Sequence, residues 1–263
     1  MLHELGSDTP NFLQGRIDAL LKTAPPPGPP SVPPSAEAVR IRKEAAELYE
    51  QLIDLCADDT RTRIKAMNDL GTCLTAAGDM PEAITSFEKA IEAAVSESLP
   101  ALQCKALMGM SFATARSGSL MKGVELMREA IEVTGKLHED GPEGRAEMEL
   151  IALGHLSVLT VMSKQFDDAK EVVARLCAAG KAKSDRMGKA TSEELLAQRV
   201  RSRLYFELGD RAVAAEAARA VLRLANGCAP PRFIVWVTST KGSVAAFVRC
   251  ARLWSPARAR SQG

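Results

Sequence analysis

A helix-turn-helix phrase that recurs at intervals of about forty residues constrains the fold more than any other feature of the sequence. Its clearest copy covers residues 67–90, where apolar and small residues lie at helical spacing on both sides of Gly78. A repeated unit of this kind cannot bury its own apolar face, so its copies have to stack on one another. The pattern therefore predicts an all-α array with an extended surface rather than a domain closed around a catalytic pocket.

The phrase resembles the tetratricopeptide repeat, whose first helix carries Leu-Gly and whose second helix carries alanines around an aromatic residue. The matching positions in the clearest copy are Leu70, Gly71, Gly78, Ala83, Phe87 and Ala90. Degenerate copies follow, with Ser111, Gly118, Gly123, Met127 and Ala130; Leu156, Ser157, Phe166, Ala169, Val173 and Leu176; and Ser202, Tyr205, Gly209, Ala214, Ala218 and Val221. In the second of these copies Lys164 stands where the turn glycine would be. The resemblance implies a right-handed superhelical solenoid of stacked antiparallel helix pairs. The alternative is an ordinary helical bundle with this spacing by chance.

The spacing of the copies is longer than that of the standard repeat. The small residue of each second helix falls at Ala45, Ala83, Gly123, Ala169 and Ala214, which gives intervals of 38, 40, 46 and 45 residues. The standard repeat has about 34 residues. We expect extra helical turns or longer loops, such as residues 138–145 and 180–192, to absorb the difference. We also expect Gly71 to face Ala83 where the two helices of the clearest copy approach most closely.

Composition divides the chain into four parts. Residues 1–24 hold a short amphipathic segment, and residues 25–35 form a Pro-rich linker that favours an extended polyproline II conformation. Residues 36–226 form the helical array. Residues 227–263 form a basic tail that we expect to be poorly ordered, although Phe233–Val237 reads as a strand. A tail that contacts nucleic acid and a truncated or aberrant chain end are the alternatives.

Several functional classes find no support in the sequence. The net charge of +1 gives the whole chain no bias toward nucleic acid or acidic membranes, and no apolar run is long enough to span a bilayer. Nucleotide-binding, serine-hydrolase and metalloprotease motifs are absent, and the six cysteines form no CxxC pair. We therefore predict a non-enzymatic protein of the cytoplasm without catalytic residues, cofactor, metal or small-molecule substrate.

The resemblance also implies a binding groove lined by the first helix of each copy. Transferring the lining positions to this sequence selects Lys65, Asn68, Thr72, Lys105, Met108, Phe112, His155, Val158, Met162, Arg199, Arg203 and Phe206. The set is apolar with four basic residues, which suits an acidic or amphipathic peptide. Lys65 and Asn68 supply only a fragment of the clamp that binds chaperone tails, so that partner is not expected.

The predicted function is that of an adaptor or scaffold that holds a peptide or protein partner in this groove. The alternative is a regulatory or truncated part of a larger enzyme or signalling protein whose catalytic portion lies outside this chain. Neither interpretation identifies the partner, because a repeat array of this type serves many pathways.

Overall fold

The fold is all-α in the part of the chain that the computed structural model describes, which is residues 9–25, 34–138 and 144–225. The helices of these ranges are, in chain order, α1 (Pro10–Thr23), α2 (Ala36–Leu55), α3 (Thr60–Ala77), α4 (Met80–Ser96), α5 (Pro100–Arg116), α6 (Leu120–Thr134), α7 (Arg145–Met162), α8 (Phe166–Met187), α9 (Ser192–Glu207) and α10 (Arg211–Ala225). The predicted fold class of stacked helix pairs is confirmed. The predicted strand and the basic tail lie outside the described residues.

The chain divides into two compact units, and the boundary falls within α7. Unit 1 comprises the described residues up to Met148, and therefore holds α1 to α6 with the start of α7. Unit 2 begins at Glu149 and holds the rest of α7 with α8 to α10. The long repeat interval in unit 2 is absorbed by helix, because α8 has 22 residues and extends to Met187.

Left-handed turn residues separate the two helices in the four pairs from α3–α4 to α9–α10. Gly78, Gly118 and Gly209 have φ angles of 101°, 104° and 81°, a region that glycine enters without a Cβ clash. Lys164 stands at the same place between α7 and α8 and has a φ of 58°. The turn positions predicted from the sequence are thus correct, including the one where a lysine replaces glycine.

Side-chain caps fix where several helices begin. Helices α1, α2, α3 and α9 are capped by Thr9, Ser35, Asp59 and Thr191, respectively. In each cap a hydroxyl or carboxylate oxygen accepts a hydrogen bond from a backbone N–H in the first turn of the helix. These bonds satisfy N–H groups that the helix itself leaves without partners. The helix starts are therefore set by local sequence as well as by packing.

Small residues twelve positions apart bring two helices of a pair together in the same way in both units. Ser111 of α5 donates its hydroxyl to the carbonyl of Gly123 in α6 at 2.6 Å. Ser202 of α9 donates to the carbonyl of Ala214 in α10 at 2.7 Å. A hydroxyl can reach the backbone of the neighbouring helix only where both side chains are small. Two of the three degenerate copies thus keep the close approach that the sequence pattern predicted, whereas Ser157 of α7 donates to the carbonyl of Gly154 in its own helix.

The ring of Phe87 fills the space between three helices of unit 1. Phe87 belongs to α4 and is 1% exposed, and its ring lies against Gly71 of α3 and Gly109 of α5. A Cβ atom on Gly71 would lie 2.8 Å from the ring, and one on Gly109 would lie closer still. Phe87 is therefore the nearest neighbour of Gly71, and the predicted approach of Gly71 to Ala83 stays a prediction.

Helix α1 packs into the core of unit 1. Leu13 and Ile17 are 3% and 0% exposed and share a core cluster with Tyr49 and Leu52 of α2. The guanidinium of Arg42 donates a hydrogen bond of 2.8 Å to the carbonyl of Pro25, which ties the residues after α1 to α2. Helix α1 thus occupies the place of a first helix paired with α2, where the sequence pattern marked only the second helix, through Ala45.

A substitution of Gly109 tests the packing of Phe87. We expect Gly109→Ala to lower the free energy of unfolding by about 1–3 kcal/mol, because the ring is held against Gly71 on its other side and cannot move away. Urea unfolding followed by circular dichroism measures the change. Gly15→Ala in α1 is the matched control, because no atom lies within 4 Å of the added Cβ. Equal effects of the two substitutions would contradict this packing.

A substitution of Lys164 tests the strain at the α7–α8 turn. We expect Lys164→Gly to raise the free energy of unfolding by up to about 1 kcal/mol, since glycine adopts a positive φ without steric cost. Lys164→Ala removes the same charge but keeps a Cβ atom, so it should leave stability nearly unchanged. A gain from alanine equal to that from glycine would assign the effect to the lost charge instead.

Candidate binding face on the first helices

The first helices of the pairs contribute to one face of each unit, which we name the first-helix face. In unit 1 this face is formed by α1, α3 and α5, and in unit 2 by α7 and α9. Helices α3 and α5 are neighbours because both contact Phe87. Helices α7 and α9 are neighbours because a Cβ on Gly154 would lie 3.1 Å from the side chain of Leu196. All twelve residues of the predicted groove lie on α3, α5, α7 and α9.

The charges on the first-helix face of unit 1 balance one another. Asp69 of α3 lies close enough to Lys65 and Lys105 for both ammonium groups to favour its ionised form. Desolvation nevertheless raises the pKa of Asp69, and the nearby carboxylate of Asp18 on α1 adds to the rise. Two carboxylates thus share the face with the two lysines. This face offers an acidic partner less net positive charge than the lysines alone would.

The remaining predicted residues of unit 1 serve partly as packing. Asn68 and Met108 are each 8% exposed, and the amide of Asn68 reaches the carbonyl of Leu102 at 3.5 Å. Thr72 is exposed, but its hydroxyl donates to the carbonyl of Asn68 within the same helix at 3.0 Å. Phe112 is half-buried. Among the residues named here on α3 and α5, only Lys65, Asp69 and Thr72 are exposed.

The two predicted arginines of unit 2 differ in their partners. Arg203 forms a two-pronged ion pair with Glu207 one turn later on α9, at 2.6 and 2.7 Å. Arg199 is half-buried, and among the described residues it makes neither a hydrogen bond nor an ion pair. Desolvation lowers the pKa of Arg199 without any neighbouring charge to offset it. A guanidinium remains charged even so, because its pKa lies far above neutrality.

Exposed apolar side chains occur on the same face of unit 2. Met162 of α7 is 41% exposed and Phe206 of α9 is 49% exposed. Val158 packs against the core cluster between these two helices. Large apolar groups that become desolvated on binding contribute most of the energy of a typical interface. The face of unit 2 therefore combines an apolar surface with one uncompensated cation.

His155 occupies the same repeat position on α7 as Asp69 on α3, two residues before the small residue of the helix. Burial lowers the pKa of His155 to about 4, so the imidazole is neutral at physiological pH. The side chain thus adds no positive charge to the face of unit 2. The equivalent residues of α5 and α9 are Gly109 and Val200.

Asp69 and Asp18 are the charged residues of this face that the sequence analysis missed. Asp69 was missed because the lining positions transferred from the family select its neighbours on α3 instead. Asp18 was missed because α1 precedes the residues that match the repeat. Asp69 lies two residues before Gly71, and His155, which was selected, lies two residues before Ser157 in a later copy. The two residues therefore occupy equivalent positions of the repeat. Comparing one position across all copies would have identified Asp69.

No three His, Cys, Asp or Glu side chains within the described residues are placed to hold a metal ion together. Among the helices described, none is both long and apolar enough to cross a membrane. Cys56, Cys73, Cys104 and Cys177 are all present as free thiols.

Comparison with family models supports the repeat assignment in unit 1. A model described as "Tetratricopeptide repeat" matches residues 64–94, which cover most of α3 and α4 with the turn between them. A comparison of the sequence with curated proteins found no match. The matched residues include Gly71 and Phe87, the contact on which the packing of the pair depends.

Comparison with solved structures extends the similarity to the fold of most of the chain. A putative kinesin light chain from Podosopora anserina with nearly identical TPR-like repeats is 18% identical, with a TM-score of 0.59, over 82% of this chain and 95% of that one. BtubC from P. vanneervenii is 14% identical with a TM-score of 0.61, over 86% and 87%. A Rap protein complexed with competence and sporulation factor is 11% identical with a TM-score of 0.51, over 72% and 62%. Identities this low establish a shared fold alone.

The raised pKa of Asp69 gives a testable dependence of stability on pH. Because folding raises this pKa, the ionised carboxylate destabilises the folded state, and that cost disappears as the pH falls below the ordinary pKa of aspartate. We expect Asp69→Asn to raise the urea midpoint at pH 7, with the gain shrinking progressively on acidification. A gain that stays constant with pH would contradict an electrostatic origin.

Proposed function

We propose that this protein, a stack of TPR-like helix pairs with a tetratricopeptide repeat at residues 64–94, is a non-enzymatic adaptor that binds a protein or peptide partner on its first-helix faces. The fold is one that typically serves as an interaction module rather than as a catalyst. The observation that carries the proposal is the uncompensated, half-buried Arg199 on the face that also exposes Met162 and Phe206.

Arg199 favours a partner that brings a carboxylate. A half-buried guanidinium without an acceptor has lost part of its hydration and has gained no hydrogen bond in return. An Asp or Glu side chain of a partner would restore both charge compensation and hydrogen bonding, and arginine binds carboxylates with two parallel bonds. A free carboxylate at the end of a chain offers the same chemistry.

Met162 and Phe206 favour an apolar residue next to that carboxylate. Both side chains are more than two-fifths exposed, so a partner that covers them removes apolar area from water. An amphipathic or extended segment with one acidic and one large apolar residue fits the combination. The partner chemistry predicted from the sequence thus becomes a proposal specifically for unit 2.

The other basic residues of the predicted groove should contribute less to an acidic partner. Lys65 and Lys105 act on the carboxylate of Asp69, and Arg203 is bonded to Glu207. Breaking such a pair to bind a partner exchanges one ion pair for another and gains little net free energy. A triple Lys105/Arg199/Arg203→Glu variant should therefore lose little more binding than Arg199→Glu alone.

The proposed compartment is the cytoplasm. The four cysteines that lie in the described residues are all free thiols, and a reducing compartment keeps thiols in that state. A protein partner of the same compartment would meet the first-helix faces without crossing a membrane.

Peptide selection on the full chain tests the proposal. We expect peptides selected from a random displayed library to carry Asp or Glu beside a large apolar residue. Arg199→Glu should weaken their binding by about tenfold or more, since a buried like charge opposes the carboxylate, and the parent's affinity should fall as salt is added.

Arg219→Glu on the exposed side of α10 is the matched control, because it makes the same charge change in the same unit. It should bind the selected peptides as the parent does. Equal loss of binding in both variants, or selected peptides without acidic residues, would contradict the assignment of Arg199. If the selected peptides bind Met162→Ala and Phe206→Ala as tightly as they bind the parent, that result would contradict the binding face itself.

A further inference from the structure

Two arginines of unit 1 are bonded to backbone carbonyls only. Arg42 of α2 is 5% exposed, and its guanidinium donates hydrogen bonds to the carbonyls of Ala38 and Pro25 at 3.3 and 2.8 Å. Arg116, the last residue of α5, is half-buried. Its Nη1 donates a hydrogen bond of 2.9 Å to the carbonyl of Thr75 in the last turn of α3. The backbone of three helices and of the residue after α1 therefore holds both side chains in place.

The two guanidinium groups lie close to each other at the C-terminal end of α3. Arg42 is near Cys73 of α3, and Arg116 is bonded to Thr75 two residues later on the same helix. Desolvation lowers the pKa of Arg116, and the positive charge of Arg42 lowers it further. Two cations that remain charged at neutral pH thus share one partly desolvated place.

No carboxylate of the described residues compensates this pair. Neither arginine has an Asp or Glu within them at ion-pair distance, and Asp79, which follows α3 closely, is bonded to Lys43 at 3.0 Å. Buried charges in proteins are normally paired, because desolvation is costly. The carbonyls at the end of a helix supply only about half of an elementary negative charge. The two arginines therefore keep a clear excess of positive charge.

Arg116 also has donors left for a ligand. Its Nη1 is bonded to Thr75, whereas its Nε and Nη2 have no acceptor in the described part of the chain and are not enclosed away from solvent. These two nitrogens form one edge of the planar guanidinium. Such an edge donates two parallel hydrogen bonds to the oxygens of a phosphate or a carboxylate.

We propose that this arginine pair binds a phosphate monoester, the group that a phosphorylated serine, threonine or tyrosine of a partner protein carries. The phosphate oxygens accept hydrogen bonds from Nε and Nη2 of Arg116, and Arg42 supplies the second positive charge. A phosphate monoester carries about −1.5 to −2 charges at pH 7, so it matches two arginines better than the single charge of a carboxylate does.

The position of the pair suits such a partner. Arg116 and Thr75 lie at the ends of α5 and α3, two helices of the first-helix face of unit 1. A protein bound along this face can present a phosphorylated side chain there. The proposal involves no residue of unit 2, so its failure would leave the function proposed for Arg199 intact.

Calorimetric titration of the full chain with N-acetyl-O-phosphoserine N-methylamide tests the proposal at constant ionic strength. We expect saturable binding to the parent and a loss of about tenfold or more in Arg116→Gln, because two charge-assisted hydrogen bonds are removed. Arg116→Lys keeps the charge but not the two-donor edge, so it should recover only part of the affinity. Circular dichroism checks that each variant is folded.

Arg40→Gln is the matched control, because it removes the same charge from an exposed position on α2, two residues before Arg42. It should bind the phosphoserine compound as the parent does, whereas Arg42→Gln should bind it more weakly. The parent gives a second readout that needs no variant. The compound should shift the backbone amide signals of residues 74–78 and 114–118 in nuclear magnetic resonance spectra.

Three results would overturn the proposal: no saturable binding to the parent, equal weakening by Arg40→Gln and Arg116→Gln, or amide shifts confined to other parts of the chain. N-acetyl-glutamate N-methylamide that binds as tightly as the phosphoserine compound would contradict recognition of a doubly charged group. Inorganic phosphate that binds more tightly than the phosphoserine compound would assign the pair to free phosphate instead of a phosphorylated side chain.

Discussion

The stacking of unit 1 depends on one aromatic ring inserted between two glycines. Phe87 reaches from α4 across α3 to α5, and it can do so only because neither Gly71 nor Gly109 has a side chain. One ring therefore joins two successive helix pairs and leaves almost none of its surface in water. Burying a ring of this size stabilises the unit by about 2–3 kcal/mol, and the loss of either glycine would reduce that contribution. The first-helix face is a consequence, because Phe87 sets the distance between α3 and α5.

Local patterns in the sequence were sufficient to predict the helices and their turns. Gly78, Gly118 and Gly209 mark the turns because a positive φ is a property of a single residue, and even Lys164 was identified by its place in the repeat. Features that depend on distant residues were not predictable in this way. The role of Gly109 depends on a ring from the preceding pair. The division into two units falls between Met148 and Glu149 of α7, and neither of these residues is a proline or glycine that would mark it.

The candidate site was predictable in its helices but not in its electrostatics. Transferred positions found Arg199, Arg203, Met162 and Phe206, but they could not show which charges have partners. Glu207 neutralises Arg203 from the same helix, whereas the charges around Asp69 come from α1 and α5 as well as from Lys65 on α3 itself. Only the three-dimensional arrangement reveals that Arg199 differs from the other basic residues. The binding chemistry of such a face is therefore determined by compensation between helices rather than by the residues of any one helix.

The close approach of paired helices also explains why the repeat is hard to detect outside residues 64–94. In α5 and α6 the residue without a side chain is Gly123 on the second helix, facing Ser111, whereas in α3 and α4 the glycine is Gly71 on the first. The constraint thus acts on the combined volume of two facing positions, not on either position alone. Substitutions can move the glycine from one facing position to the other while the helices stay in place. A sequence profile that scores each repeat position separately fails to recognise copies in which such compensatory exchange has occurred. Correlated changes between positions twelve residues apart would therefore identify distant copies better than the identities at single positions.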